Sequence, residues 1–109
     1  MHIVASKSYF FEPKGVCCKE IRFRLEAREE NGLTYICVFD LDFLGGCPGN
    51  LSFISKLFNG SNVLYVIYKT KNHKCGNRKT SCVDQLSKCL EQAVRDLEEV
   101  FNVKDEEEE

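Results

Sequence analysis

Four of the seven cysteines in this chain stand where a thiol can do chemistry. Cys17 lies in the loop Lys14-Gly15-Val16-Cys17-Cys18, and Cys47 in Gly45-Gly46-Cys47-Pro48-Gly49-Asn50. Cys75 sits in a polar, basic connection, and Cys82 in Thr80-Ser81-Cys82-Val83-Asp84-Gln85-Leu86. In that last stretch Ser81 is a good helix N-cap, and Asp84 three residues later can complete a capping box. Cys82 then takes the first helical position, where unpaired N–H groups and the positive end of the helix dipole favour a thiolate. Cys47 stands at a strand-to-helix corner of the same kind. Four thiolates, or three with His73, match the tetrahedral shell of zinc or the corners of an iron–sulfur cluster. Residue types alone leave two alternatives open: a pair of redox-active thiols, and thiols with no ligand at all.

The remaining cysteines read as structure. Cys37 falls mid-strand between Tyr35 and Phe39, and Cys89 falls on the apolar face of the last helix. Buried free cysteine behaves as a small hydrophobe, so both are expected in the core. Cys18 follows Cys17 directly, and neighbours in extended chain point opposite ways, so at most one faces a shared site.

For such thiols to meet, the chain must bring distant loops together, and its size bounds how. The 109 residues suffice for one core, expected over 1–103, with Lys104-Asp105-Glu106-Glu107-Glu108-Glu109 as a charged, disordered tail. Hydrophobic content of 43% and charged content of 29% suit a globular domain, and the net charge of −2 argues against a general nucleic-acid binder. No apolar run approaches the ~18 residues of a membrane span. The opening residues lack the layout of a secretory leader, and the odd cysteine count does not suit a disulfide framework, so a cytoplasmic setting is expected.

The elements that must position the thiols can be read from periodicity. Ser8 to Glu12 is an aromatic run closed by Pro13 and predicts a short strand, with His2 in the tail before it. Ile21, Phe23 and Leu25 alternate with Arg22, Arg24 and Glu26, the pattern of a half-buried strand. Glu30-Asn31-Gly32 predicts a tight hairpin turn. The returning strand, Leu33 to Phe43, is expected to put Tyr35, Cys37, Phe39, Leu41 and Phe43 on its apolar face and Thr34, Asp40 and Asp42 on the other. Two glycines end it, Pro48 suits a first helical turn, and Leu51, Ile54, Leu57 and Phe58 mark a short helix stopping at Asn59-Gly60. Residues 61–70 fit either a helix capped by Ser61 or Asn62 or a β-branched strand, and the helix is preferred. Val83, Leu86, Leu90, Ala93, Val94, Leu97 and Phe101 then recur at helical spacing. The fold class is α+β: a three-stranded antiparallel sheet with two or three helices on its apolar face.

Several blocks, in order and at matching spacing, resemble the TSCPD domain family. They are Lys14-Gly15-Val16-Cys17, Gly45-Gly46-Cys47, Gly49-Asn50-Leu51, Ile54-Ser55, Lys74-Cys75-Gly76 and Thr80-Ser81-Cys82 with Asp84-Gln85-Leu86. Val83 stands where the family has proline, and Phe53 where it has glycine. The family occurs as free-standing proteins and as a C-terminal domain of B12-dependent ribonucleotide reductases. The resemblance therefore implies an accessory role to ribonucleoside-diphosphate reductase and deoxynucleotide synthesis, not catalysis by this chain alone. The order of the thiols, with Cys17 after the first strand, Cys47 before a helix and Cys82 opening the last helix, is also similar to iron–sulfur scaffolds of the NifU/IscU type, so a SufE/NifU-like architecture is expected.

Three functions follow as expectations. The first is a metal-binding accessory domain with Cys17, Cys47, Cys75 and Cys82 as ligands of zinc or an iron–sulfur cluster and His73 as an alternative ligand. The second is a dithiol donating electrons to a reductase. The third is a metal-free interaction module whose basic segment (Lys69, Lys71, Lys74, Arg78 and Lys79) meets an acidic partner or nucleotide phosphates. Asp40 and Asp42 are read as solvated rather than as an acid–base pair, and Gly45–Gly49 fits no phosphate-loop spacing.

Overall fold

The computed structural model describes residues 2–13, 16, 18–45, 48–72 and 81–101. Strands β1 (His2–Phe11), β2 (Cys18–Glu30) and β3 (Leu33–Gly45) form one antiparallel sheet in chain order. Helices α1 (Pro48–Phe58), α2 (Val63–Thr70) and α3 (Cys82–Phe101) follow, so the α+β class expected from the sequence is the observed one.

The hairpin forms as its residues dictate. Asn31 and Gly32 take φ of 55° and 81°, the left-handed pair that lets two twisted strands reverse in two residues. β1 is longer than its aromatic run predicts. It starts at His2, whose backbone pairs with that of Glu29, so His2 belongs to the sheet and not to a tail. The polar stretch Ser6-Lys7-Ser8 hides this continuity in the sequence; the thirteen-residue β2 supplies ladder partners all the way back to His2.

The apolar face of β3 also differs from expectation. Ile36 and Val38 are fully buried opposite Ala27 and Leu25, while Tyr35, Cys37 and Phe39 are half-buried on the other side. Phase is restored by a bulge: between Arg24↔Phe39 and Arg22↔Asp42 the register shifts, with Asp40 at a φ of 53°. One extra residue moves Leu41 and Phe43 to the core side, where Leu41 is buried and Phe43 pairs with Ile21. Strict alternation cannot carry a strand through such a bulge. Cys37 is therefore not a core residue, a correction to its sequence reading.

α1 buries Leu51 and Phe58 and half-buries Ile54, a stripe at i, i+3 and i+7; Leu57 lies about 100° off that stripe and is exposed, contrary to its expected role. The chain then returns along the outer edge of β3. Gly60 N–H donates to the Val38 carbonyl at 2.6 Å, and Val38 N–H donates to the Ser61 carbonyl at 2.9 Å, so this sheet edge is occupied. Asn62 caps α2 by accepting the Leu64 N–H at 2.8 Å. With that cap and a buried stripe of Val63, Val66 and Thr70, the β-branched run is helical, as preferred above.

α3 lies on the sheet with Leu86, Leu90, Ala93, Val94 and Leu97 buried, the stripe its sequence predicts. Leu64 and Ile67 share a cleft with Val94 and Arg95, and Asn72 meets Asp84, so α2 runs antiparallel to α3. Lys7 and Tyr9 of β1 reach Asp96 at 2.8 and 2.7 Å and tie the opposite sheet edge to α3.

Candidate functional site

The thiols expected to act together depend on the segments joining these elements. The β1–β2 connection leaves the sheet beside Phe11, which pairs with Ile21; β2 begins at Cys18, the direct cross-strand partner of Gly45, where β3 ends. Phe11, Cys18 and Gly45 therefore lie at the same end of the sheet, and the Asn31-Gly32 turn closes the other end. Gln92 and Ala93 share a cleft with Phe10 and Phe11, while Asp96 binds Lys7 and Tyr9 farther along β1. The N-terminal half of α3 is thus directed toward the end where Cys18 meets Gly45.

Of the expected ligands, Cys82 is the one within the described residues; Cys17, Cys47, His73 and Cys75 lie outside them, as do Lys74, Arg78 and Lys79. Cys82 opens α3 and is 8% exposed, packed into the hydrophobic core. Its neighbours behave as the motif predicts. The Ser81 hydroxyl accepts the Asp84 N–H at 3.0 Å, the N-cap bond. The buried Asp84 carboxylate accepts the backbone N–H of Asn72 at 2.8 Å, joining the end of α2 to the start of α3. Lys88, one turn on, lies 3.8 Å from the same carboxylate. Asp84 is thus a clamp between helices as well as a member of the cap. Among the described residues no three His, Cys, Asp or Glu side chains gather as a metal site.

The other cysteines separate cleanly. Cys18 is 2% exposed in the core. Cys89 is buried on α3, and burial pushes its thiol up to about 11, so it is protonated and unreactive at neutral pH. Cys37 is half-buried on the outer sheet face, on the side of Tyr35 and Phe39.

That outer face carries a cluster that sequence reading missed. Glu26, 5% exposed, pairs with Arg28 at 2.9 Å and with Arg24. Both guanidinium groups lie over the Phe39 ring, 5.1 Å and 4.4 Å from its centroid. Arg24 also pairs with Asp40 at 3.0 Å, and Asp40 N–H donates to the Asn59 side chain. Asp40 and Asp42 are exposed, as their sequence reading had it. The alternation Arg22-x-Arg24-x-Glu26-x-Arg28 was the available signal; the partner ring was not, because β3 was read in the opposite phase.

The Lys7–Tyr9–Asp96 cluster left no sequence signal, since its members are nearly ninety residues apart. Asp96 is held below the usual carboxylate range, first by the hydrogen bond from Lys7 and then by that from Tyr9. Burial, followed by the bond to Asp96, raises the Tyr9 phenol well above its ordinary value. The remaining members of the basic segment are surface groups: Lys69 lies over the rings of Tyr65 and Tyr68, and Lys71 is 3.7 Å from Glu91.

These features define a small α+β domain in which a capped, cysteine-opened helix lies on a three-stranded sheet and two chain connections leave at one sheet end. A family model for the TSCPD domain matches residues 5–94, and the chain belongs to that family. No curated protein and no solved structure matches it.

Proposed function

We propose that this chain is a non-catalytic accessory domain of the ribonucleotide reductase type whose loop cysteines hold zinc or an iron–sulfur cluster. Cys17, Cys47, Cys75 and Cys82 are the ligands of this reading, with His73 able to replace one thiolate. The observation that supports it most is the cross-strand pairing of Cys18 with Gly45, which starts the β1–β2 and β3–α1 connections from one sheet end, the end toward which α3 directs Cys82. The donor set suits the group: thiolates with one optional imidazole are the ligands that zinc and iron–sulfur clusters favour. A bound ion or cluster would supply a cross-link between three chain connections, and a negatively charged ligand set is compatible with the positive dipole end at the start of α3. The link to ribonucleoside-diphosphate reductase rests on family membership.

Elemental analysis of anaerobically purified protein tests this directly. Near-stoichiometric zinc or iron is expected, with a large loss on changing any of the four cysteines to serine. Wild-type protein that is folded and carries neither element would falsify the metal reading.

The basic segment has its own support. No Asp or Glu stands between Asp42 and Asp84, while Lys56, Lys69, Lys71, Lys74, Arg78 and Lys79 all do. That one-signed stretch suits contact with an acidic partner surface, and raising salt from 50 to 300 mM should weaken such binding several-fold. Salt-independent binding to a reductase would exclude an electrostatic role.

A further inference from the structure

The two edges of the sheet are treated differently. The outer edge of β3 is hydrogen-bonded to Gly60 and Ser61. The outer edge of β1, a ten-residue strand, meets no backbone partner among the described residues. An unpaired edge of that length presents a row of N–H and C=O groups ready to accept another strand. Apolar side chains flank it on both faces. On the outer face Ile3 is 54% exposed and Phe10 is 69% exposed; they lie opposite Arg28 and Arg22 and so project to the same side. On the inner face Tyr9 and Phe11 are half-buried beside a cleft of about 310 Å³, lined also by Gln92, Ala93 and Asp96, that runs along this edge.

We propose that β1 pairs with β1 of a second copy of this chain, joining two three-stranded sheets across a two-fold axis. The order of side chains along the strand argues for a second copy over an unrelated strand. Ile3 and Val4 stand at one end, Tyr9, Phe10 and Phe11 at the other, and the small or polar Ala5-Ser6-Lys7-Ser8 between them. Antiparallel self-pairing about an axis through Lys7 sets the aliphatic end of each copy against the aromatic end of the other, with Ala5 opposite Tyr9 on the inner face. The same operation brings the two Lys7 side chains near the axis. Each is neutralised by its own Asp96 at 2.8 Å and comes within range of the other copy's carboxylate, so the charges alternate across the junction. A strand of ten residues extends about 33 Å, and the pairing engages this edge together with the cleft beside α3.

Sedimentation velocity of the full chain between about 1 and 500 μM, paired with hydrogen exchange at the two extremes, tests the proposal. The expected result is a shift from 12.5 kDa toward twice that mass. Protection of the β1 amides should rise with concentration while the Asn31-Gly32 turn stays unchanged. Phe10→Glu changes an exposed side chain outside the core; it should weaken the dimer at least tenfold and leave the circular dichroism spectrum intact. Phe53→Glu, on the exposed side of α1, should leave the dimer as it is. A monomer throughout the range overturns the proposal. So does a dimer that Phe10→Glu leaves unchanged, or one whose β1 amides exchange at the same rate at both concentrations. None of these readouts depends on bound metal, so this inference and the metal reading fail separately.

Discussion

At the scale of single residues, two thiols of nearly equal burial differ in their place on the helix. Cys82 and Cys89 stand seven residues apart on α3, 8% and 7% exposed in the same core; the first opens the helix within the cysteine-bearing motif and the second lies in its interior. The Cys89 thiol, raised to about 11, should resist alkylation at pH 8 in native protein and react fully once urea unfolds the chain, a difference that mass spectrometry resolves. The same shift carries a pH dependence. Between pH 9 and 11 the unfolded chain releases this proton while the native chain retains it, so stability is intact below 9 and falls as pH rises through 11. Urea titrations across that window should show a decline that is smaller by roughly 2 kcal/mol in Cys89→Ala. Asp84 makes a second residue-level case. Asp84→Ala leaves the Asn72 N–H without its acceptor and is expected to cost about 1–3 kcal/mol in the same titration. Ser81→Ala, losing the cap bond, should cost about 1 kcal/mol.

At the scale of elements, β-hairpin chemistry sets the register on which the site depends. Gly32 sits at a φ of 81° with open space around the position a Cβ would take, so Gly32→Ala tests backbone strain without a clash. A loss of about 1–2 kcal/mol in equilibrium unfolding is expected, with the Cys18–Gly45 end retained in the native state. Asp40, also at positive φ, plays a related part within β3. By absorbing one residue it turns Leu41 and Phe43 inward, and it leaves Phe39 outward beneath Arg24 and Arg28. Asp40→Gly should therefore be neutral to slightly stabilising, because glycine takes that conformation freely and the exposed Asp40–Arg24 pair contributes little. A loss above about 1 kcal/mol would show that the ion pair, rather than the backbone, maintains the bulge.

At the scale of the whole molecule, α3 and the sheet meet through an apolar stripe and a polar tie. The stripe of α3 packs on β1 and β2 in one core with Leu25, Ile36 and Val38, and Asp96 fastens it to β1 through Lys7 and Tyr9. If the loop cysteines hold metal, the ligand spans the connections that enter this assembly, and its binding energy adds to folding. Chelation should then lower the melting temperature by several degrees, and re-addition of the metal should restore it. A melting temperature indifferent to chelator would leave the sheet and α3 as the whole source of stability.

The sequence alone determined what local spacing encodes. The Asn31-Gly32 reversal, the stripe and cap of α3, the helix at 63–70 and the cysteine blocks of the TSCPD family were all legible, because each depends on residues within a turn or two of one another. It did not disclose that β1 begins at His2, that Cys37 leaves the core, that Asp84 clamps Asn72, or that Glu26 lies sealed between two arginines on an aromatic ring. Those facts belong to pairing across strands and helices. A bulge of one residue reverses every face beyond it, and the contact that gives Lys7 and Asp96 their meaning joins the two ends of the chain. Tertiary structure alone decided that Cys18 lies against Gly45, because only strand register converts a separation of twenty-seven positions into direct opposition.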